Sequence, residues 1–221
     1  MKTTLIALTV LLSTQAFALT PPSAAVTSVQ IDGSGCDAGS ANAIVTSDLN
    51  YLSVLYDRFS VELGKGTANP GDSNDEKNCT IVVNVNVPHG WAFDFDQVDY
   101  RGYVEVSNAG ALGYQFVKAE ISGGASFGFE QKLFKGPIRQ NYVITAKNQA
   151  PGILGSLGGI GKIGAAAACL SGDQNIRVKI KSQIGVKSLI KFLKPTARLV
   201  IDSTDASFGP RLKFNWKRCG I

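Results

Sequence analysis

The sequence predicts an all-β protein: an antiparallel β-sandwich of about ten strands, with a Gly-rich loop and a short helix as an insertion. Three observations carry this. Val, Ile, Thr, Phe and Tyr fall in short runs where apolar and polar residues alternate, the period of a strand with one buried face. The 24 glycines and 8 prolines gather between those runs, where turns need them. Methionine occurs once, and the composition favours strands over helices.

The chain opens with a leader. Lys2, the apolar run Leu5–Leu12 and the small residues of Ala16-Phe17-Ala18 form the three parts of an export signal cleaved after Ala18. The run is too short to span a bilayer, and no cysteine near the cut offers a lipid anchor. Residues 1–18 are expected to be the signal peptide and 19–221 a single secreted domain. A domain of that size buries roughly 70% of its unfolded surface, so its core does not depend on disulfides.

The elements follow in order. Ala25–Ile31 is a short strand, and Gly33-Ser34-Gly35 turns the chain into Cys36. Tyr51–Leu63 alternates over its length and reads as one long strand. Residues 64–78 hold Gly, Pro, Asn and Asp with almost nothing apolar, so they read as a loop. Cys79–Val87 is a strand with Asn84 and Asn86 facing out. Pro88-His89-Gly90 makes a corner. Trp91, Phe93 and Phe95 then share one strand face, with Asp94 and Asp96 on the other, and Val98–Val106 continues extended. Gln115–Ser122, Asn141–Ala146 and Asn175–Ile184 are further strands, the last with Lys179 and Lys181 facing solvent. Arg198–Asp202 and Arg211–Trp216 complete the set. Between them, residues 151–170 hold six Gly and one charge, Lys162. They read as a Gly-rich loop leading into a short helix at Ala165–Ala168, since Gly costs about 1 kcal/mol per residue in a helix. Gly185–Leu193 reads as a short basic amphipathic piece.

Charge is divided along the chain. Leu19–Glu130 holds 5 Lys and Arg against 14 Asp and Glu, whereas Gln131–Ile221 holds 16 Lys and Arg against 3 Asp. Either the halves interleave and neutralise each other, or a basic face survives. Such a face attracts anionic polysaccharides, envelope surfaces or membrane surfaces, and does so salt-sensitively, because the attraction decays over about 8 Å at physiological salt. A nucleic-acid partner is not expected.

Several short motifs occur in a fixed order: Gly33-Ser34-Gly35-Cys36, Lys77-Asn78-Cys79, His89-Gly90-Trp91, Val98-Asp99-Tyr100-Arg101-Gly102-Tyr103, Cys169, Ile201-Asp202-Ser203 and Trp216-Lys217-Arg218-Cys219. Together they resemble the family of small secreted proteins known as Domain of Unknown Function 4360, over nearly the whole chain after the leader. The resemblance implies secretion and a β-rich fold and implies no activity. One departure is Leu170, where the resemblance leads to Gly. Four cysteines allow three connectivities. Their positions at strand edges favour Cys36–Cys79 and Cys169–Cys219, each closing a loop worth at most about 4 kcal/mol in the loop-entropy picture. The spacings contain no close Cys pair of the kind that binds zinc.

Candidate chemistry is sparse. His89 is the only histidine, which excludes a multi-His metal site. A Ser-His-Asp triad would need it, yet a turn accounts for Pro88 and Gly90 without chemistry. Asp94, Asp96 and Asp99 are the candidate Ca²⁺ ligands, because hard cations take clustered oxygens, although no EF-hand spacing is present. A glycosidase needs two paired carboxylates, and nothing in the spacing singles out a pair. Asp202 and Asp205 read as turn formers. No catalytic residue is assigned and no cofactor is expected. Arg101 lies among aromatic residues: it either holds sheet position by pairing with an acid, or forms a ligand clamp with Tyr100, Tyr103 and Trp91, since Arg with aromatics suits sugars and anions. Trp91 and Trp216 also read as core residues. Asn78-Cys79-Thr80 matches a glycosylation sequon, relevant only in a eukaryotic secretory pathway.

The expectation is a secreted, non-catalytic β-sandwich with a structural or polysaccharide-binding role at a cell surface or envelope. The rivals are a membrane-acting protein that uses residues 151–170 with the basic C-terminal half, and a carboxylate-dependent hydrolase. A porin is disfavoured by four cysteines and the lack of a repeating aromatic girdle.

Overall fold

The computed structural model describes residues 25–37, 39–46, 50–57, 59–68, 70–121, 126–147, 172, 174–201 and 211–219. The leader, the 151–170 segment with its expected helix, and Cys169 lie outside these residues. The strands run in the order β1 (Ala25–Asp32), β2 (Ala41–Val45), β3 (Tyr51–Tyr56), β4 (Phe59–Leu63), β5 (Asn74–Val87) and β6 (Trp91–Val106). They continue with β7 (Ala111–Ile121), β8 (Ser126–Lys135), β9 (Ile138–Lys147), β10 (Gln174–Ser188), β11 (Ala197–Ile201) and β12 (Arg211–Arg218). One 3-10 turn, Lys191–Leu193, lies between β10 and β11.

The strands form two antiparallel sheets. The first has the order β1-β5-β10-β7-β8. The second threads β2-β3-β12-β6-β11-β4, with β9 on the other edge of β6. Register simplifies this second sheet. β9 occupies one edge of β6 from Gln97 to Val106, so β12 and β11, which pair with Trp91–Asp99 and Tyr103–Val106, both lie along the opposite edge, end to end. Their outer edges pair with β3 and β4, which are also end to end. The second sheet therefore has five rows: β2, β3 with β4, β12 with β11, β6, and β9. It stacks on the five rows of the first sheet, with β1 beside β2, β5 and β10 over β4, β7 over β11 and β6, and β8 beside β9.

Alternation builds the core between the sheets. Cys79, Ile81, Val83, Val85 and Val87 of β5 point inward, as do Ile176, Val178, Ile180, Ile184 and Val186 of β10. They meet Val61, Leu63, Leu199, Ile201, Val98, Tyr100, Val104 and Val106 of the second sheet. Each such side chain contributes about 1.5–3 kcal/mol when fully buried. A polar strut also crosses the core. The Tyr142 hydroxyl donates to Gln115 Oε1 at 2.7 Å, and burial pushes the Tyr142 hydroxyl pKa well above its ordinary value. Gly102, opposite Tyr142 on β6, makes room for it: a Cβ there would stand 2.6 Å from the Tyr142 hydroxyl oxygen and from the Val200 carbonyl oxygen.

The Gly-Ser-Gly-Cys motif now has a physical account. The Gly35 N–H donates to the Asn78 carbonyl at 2.9 Å, and Ser34 Oγ accepts from the Asn78 N–H at 3.1 Å. A Cβ on Gly35 would collide with the Phe59 ring, and one on Gly33 with the Asn78 carbonyl. Cys36 is thereby delivered to Cys79, and the two form a disulfide with a Cα–Cα distance of 5.5 Å. Cys219 is also disulfide-bonded.

Several expectations need correction. Tyr51–Leu63 is two strands, because its two parts take different partners: Tyr51–Tyr56 lies between β2 and β12, whereas Phe59–Leu63 lies against β11. The facing row has the same break: Ile201 pairs with Phe59 and Arg211 with Ser53, and the stretches between these pairings are unequal in length. Residues 74–78, expected in a loop, begin β5 and pair with Gln183–Lys187 of β10. Their polar side chains are tolerated at the solvated end of the strand. Of the amphipathic piece at Gly185–Leu193, the first four residues end β10 and the last three form the 3-10 turn. β2 and β8 escaped the sequence reading. β2 is a five-residue edge strand, and a register shift between Lys118 and Ala119 breaks the alternation that would mark β8.

Candidate functional site

The expected Arg101 clamp does not assemble. Along β6 the even-numbered residues from Val98 point inward, so Tyr100 is fully buried in the core, on the opposite face from Arg101 and Tyr103. Burial, and after it the charge of Tyr56, push the Tyr100 hydroxyl pKa well above its ordinary value, which suits a core residue. Trp91 packs against the core at the start of β6, ten residues from Arg101 and so about 33 Å away along an extended strand. Arg101 and Tyr103 do share the outer face of the second sheet with Asp99 and Glu105.

On that face the polar groups are joined to one another. Asp99 accepts from Gln97 Nε2 at 3.1 Å and from the Thr145 hydroxyl at 2.8 Å. The Tyr103 hydroxyl donates to Glu105 at 3.0 Å and accepts from Arg139 Nε at 3.0 Å. The side chains of Asp94 and Asp96 lie outside what is described. Among the described residues no three His, Cys, Asp or Glu side chains form a metal-sized cluster, and no helix is long and apolar enough to cross a membrane. His89 is exposed in a turn closed by the Trp91 N–H donating to the Pro88 carbonyl at 3.2 Å, with Gly90 at φ 77°. That is type II turn geometry, which requires Gly at its third position.

The outer face of the first sheet carries a groove that the sequence did not single out. It has a volume of about 420 Å³ and runs across β5, β10 and β7, lined by Asn78, Thr80, Phe116, Lys118, Lys181 and Gln183 with the backbone beneath them. Register sets its rows. Gln183 stands between Phe116 and Asn78, and Lys181 between Lys118 and Thr80. One row further on, Tyr114 crosses Gly185 to reach Glu76, and its hydroxyl donates to the Glu76 carboxylate. Any side chain on Gly185 would strike the Tyr114 ring, so the glycine lets the ring lie flat across the sheet. Tyr114 meets Phe116 edge to face at 5.9 Å.

Beyond the aromatic end lie the cations. Lys118 and Lys181 face each other directly across the β7–β10 ladder. Glu120 lies between them, 2.5 Å from Lys118 Nζ and 3.8 Å from Lys181 Nζ. The Lys118 hydrogen bond, helped by the charges of Lys181 and Lys179 and opposed by partial burial, holds the Glu120 carboxyl pKa below its ordinary value. Lys179 and Arg177 continue the same outward row of β10, spaced at every second residue and so about 7 Å apart. The alternation that places these residues was legible within each strand. What was missing was the pairing of β7 with β10, some sixty residues later in the chain.

A family model described as domain of unknown function (DUF4360) matches residues 22–219. An uncharacterized secreted protein of Arthroderma benhamiae is 24% identical over 202 residues, covering 90% of this chain and 73% of the relative. Among solved structures, TmCBM61 in complex with beta-1,4-galactotriose is similar over 87% of this chain and 90% of its own, at 10% identity and a TM-score of 0.25. A structure of infectious bursal disease virus Gx strain is similar over 93% of this chain and 41% of its own, at 9% identity and a TM-score of 0.22. At TM-scores of this size the site is read from its own residues alone.

Proposed function

The chain belongs to the DUF4360 family, and on that premise we propose a secreted, non-catalytic β-sandwich that binds anionic polysaccharide along the outer groove of the first sheet. Export is supported by the leader at residues 1–18 and by the secreted relative. The observation that carries the reading is the facing pair Lys118 and Lys181 beside the Phe116 ring. Like charges directly opposite in a ladder cost stability, and Glu120 supplies one negative charge between two cations. An anionic ligand completes the neutralisation.

The parts then have separate tasks. A sugar ring lays its C–H face on Phe116, with the Tyr114 edge beside it. Asn78, Gln183 and Thr80 exchange hydrogen bonds with hydroxyls. Carboxylate or sulfate groups meet Lys118 and Lys181, and a longer polymer continues past Lys179 to Arg177.

Affinity electrophoresis tests this. The protein is run through gels containing polygalacturonate, alginate or neutral galactan, at low salt and at about 1 M salt, where screening reaches about 3 Å. Retardation by the acidic polymers at low salt, lost at high salt, is expected. Equal retardation by galactan, or none by any polymer, overturns the proposal.

A further inference from the structure

At the end of the sandwich where β10 gives way to β11, four apolar side chains project from a backbone that is firmly held. Phe192 is 81% exposed, Leu189 55%, Leu193 42% and Ile190 36%. The N–H groups of Leu189 and Ile190 both donate to the Gly110 carbonyl, at 2.7 and 3.1 Å, and the Leu193 N–H closes the 3-10 turn onto Ile190 at 3.2 Å. Asn108 Nδ2 donates to the Leu193 carbonyl at 3.3 Å. Just beyond, the Ser107 N–H donates to the Thr196 carbonyl at 2.9 Å, and the Thr196 N–H returns to Ser107 Oγ at 2.8 Å. Gly110 fits beneath the turn, since a Cβ there would stand 3.0 Å from Leu193 Cβ. Fixed backbone and solvated apolar side chains together describe a display.

The surroundings select what could receive it. Residues 187–194 hold Lys187, Lys191 and Lys194 and no acid. At the foot of the turn is a hollow of about 290 Å³, where Lys65 and Lys194 stand with Ser188 and a single acid, Asp72. The Ser188 hydroxyl is buried there and makes no hydrogen bond among the described residues. Nearby, Asp75 and Glu62 are engaged by the backbone: Asp75 accepts from the Glu62 N–H at 2.9 Å, and Glu62 accepts from the Ala68 N–H at 2.9 Å. A protruding apolar tip ringed by lysines fits an anionic lipid surface. Apolar side chains enter the acyl boundary, and lysines lay their stems along it with their charges among the phosphates.

We infer that Leu189, Ile190, Phe192 and Leu193 form a membrane-docking tip, with Lys65, Lys187 and Lys194 facing anionic headgroups. This assignment does not depend on the polysaccharide groove, which is lined by other residues.

The test is co-sedimentation of the secreted protein with vesicles of phosphatidylcholine alone and of phosphatidylcholine with phosphatidylglycerol. Sedimentation with the anionic vesicles at low salt is expected. Phe192→Ser should weaken it about tenfold, the factor that accompanies withdrawal of one large apolar side chain from a buried site. Phe192→Trp should keep binding and add a component to the fluorescence that shifts to the blue on contact with vesicles. Both variants should melt with the wild type and be retarded equally by acidic polysaccharide, which separates this tip from the groove. No sedimentation at low salt, or equal sedimentation of wild type and Phe192→Ser, overturns the inference. So does a concentration-dependent dimer that Phe192→Ser abolishes, because the tip then belongs to a second copy of the chain.

Discussion

On the outer face of the second sheet, Asp99 receives hydrogen bonds from Gln97 and Thr145, and Tyr103 links Arg139 to Glu105. On the outer face of the first sheet, Lys118 and Lys181 stand opposite each other and share Glu120. Both faces expose Tyr, basic residues and acids on a pleated surface. They differ in whether the polar groups find partners within the fold. A satisfied network stiffens a sheet and leaves little to offer a ligand, whereas a row with surplus cations keeps a positive potential that attracts an anionic partner. Residue type alone had pointed to the Arg101 face, and it is partnering that moves attention to the other.

The largest effect expected from this contrast is on binding. Lys118→Glu and Lys181→Glu should each weaken retention by acidic polysaccharide about tenfold, or ~1.4 kcal/mol. Arg139→Ala on the opposite face should leave retention unchanged, and a comparable loss there would end the distinction. Next in size is Phe116→Ala, which removes the aromatic floor and should weaken binding of acidic oligosaccharides by several-fold, as titration calorimetry would resolve.

Stability should respond in the reverse sense. Asp99→Ala removes two hydrogen bonds from the second face and should cost about 1 kcal/mol, lowering the melting temperature by about 2–4 °C while binding stays intact. If Asp99→Ala abolished binding at unchanged stability, the Arg101 face would be the working one.

The smallest effect concerns Glu120. Its carboxyl is held low in the folded chain chiefly by Lys118, so it favours the fold above the ordinary carboxylate range and loses that contribution as pH falls through its folded value. The group is half-buried at the surface and partly screened by solvent, so the change in stability is slight. Binding moves the other way: protonating Glu120 frees both lysines. A sulfated polymer, which keeps its charge in acid, should therefore bind about twofold more tightly below the carboxylate range, and Glu120→Gln should give the same gain at neutral pH.

What the sequence made legible was local. Alternation in Cys79–Val87 and Asn175–Ile184 identified the inward Val and Ile residues and the outward lysines. The Gly-Ser-Gly-Cys motif foretold a turn beside a bridged cysteine. Which strands become neighbours is decided by packing between distant segments, and so Phe116 and Lys181 could not be placed on one surface from their own stretches. Tyr100 was misread for a related reason. Its neighbours Arg101 and Tyr103 are close in sequence, but alternation turns Tyr100 to the other side of the strand, and weighing the run by composition ignored that period. The break between β3 and β4 depended on which strands they meet, β2 and β12 for one and β11 for the other, which no pattern within residues 51–63 contains.

The position of the latest strands bears on the proposed export. β10 is the middle row of the first sheet, and β12 with β11 is the middle row of the second. During synthesis and export the polypeptide emerges N-terminus first. Until residues 174–218 have appeared, β5 and β7 have no strand to join them, and neither do β6 and the β3–β4 row. Every earlier fragment is therefore a set of separated ladders with open edges, unable to close its core. Completion waits on pairings between segments far apart in the chain, the kind that form slowly. On the proposed export route, this order of strands keeps the chain open until its last strands have crossed and lets it become compact only then.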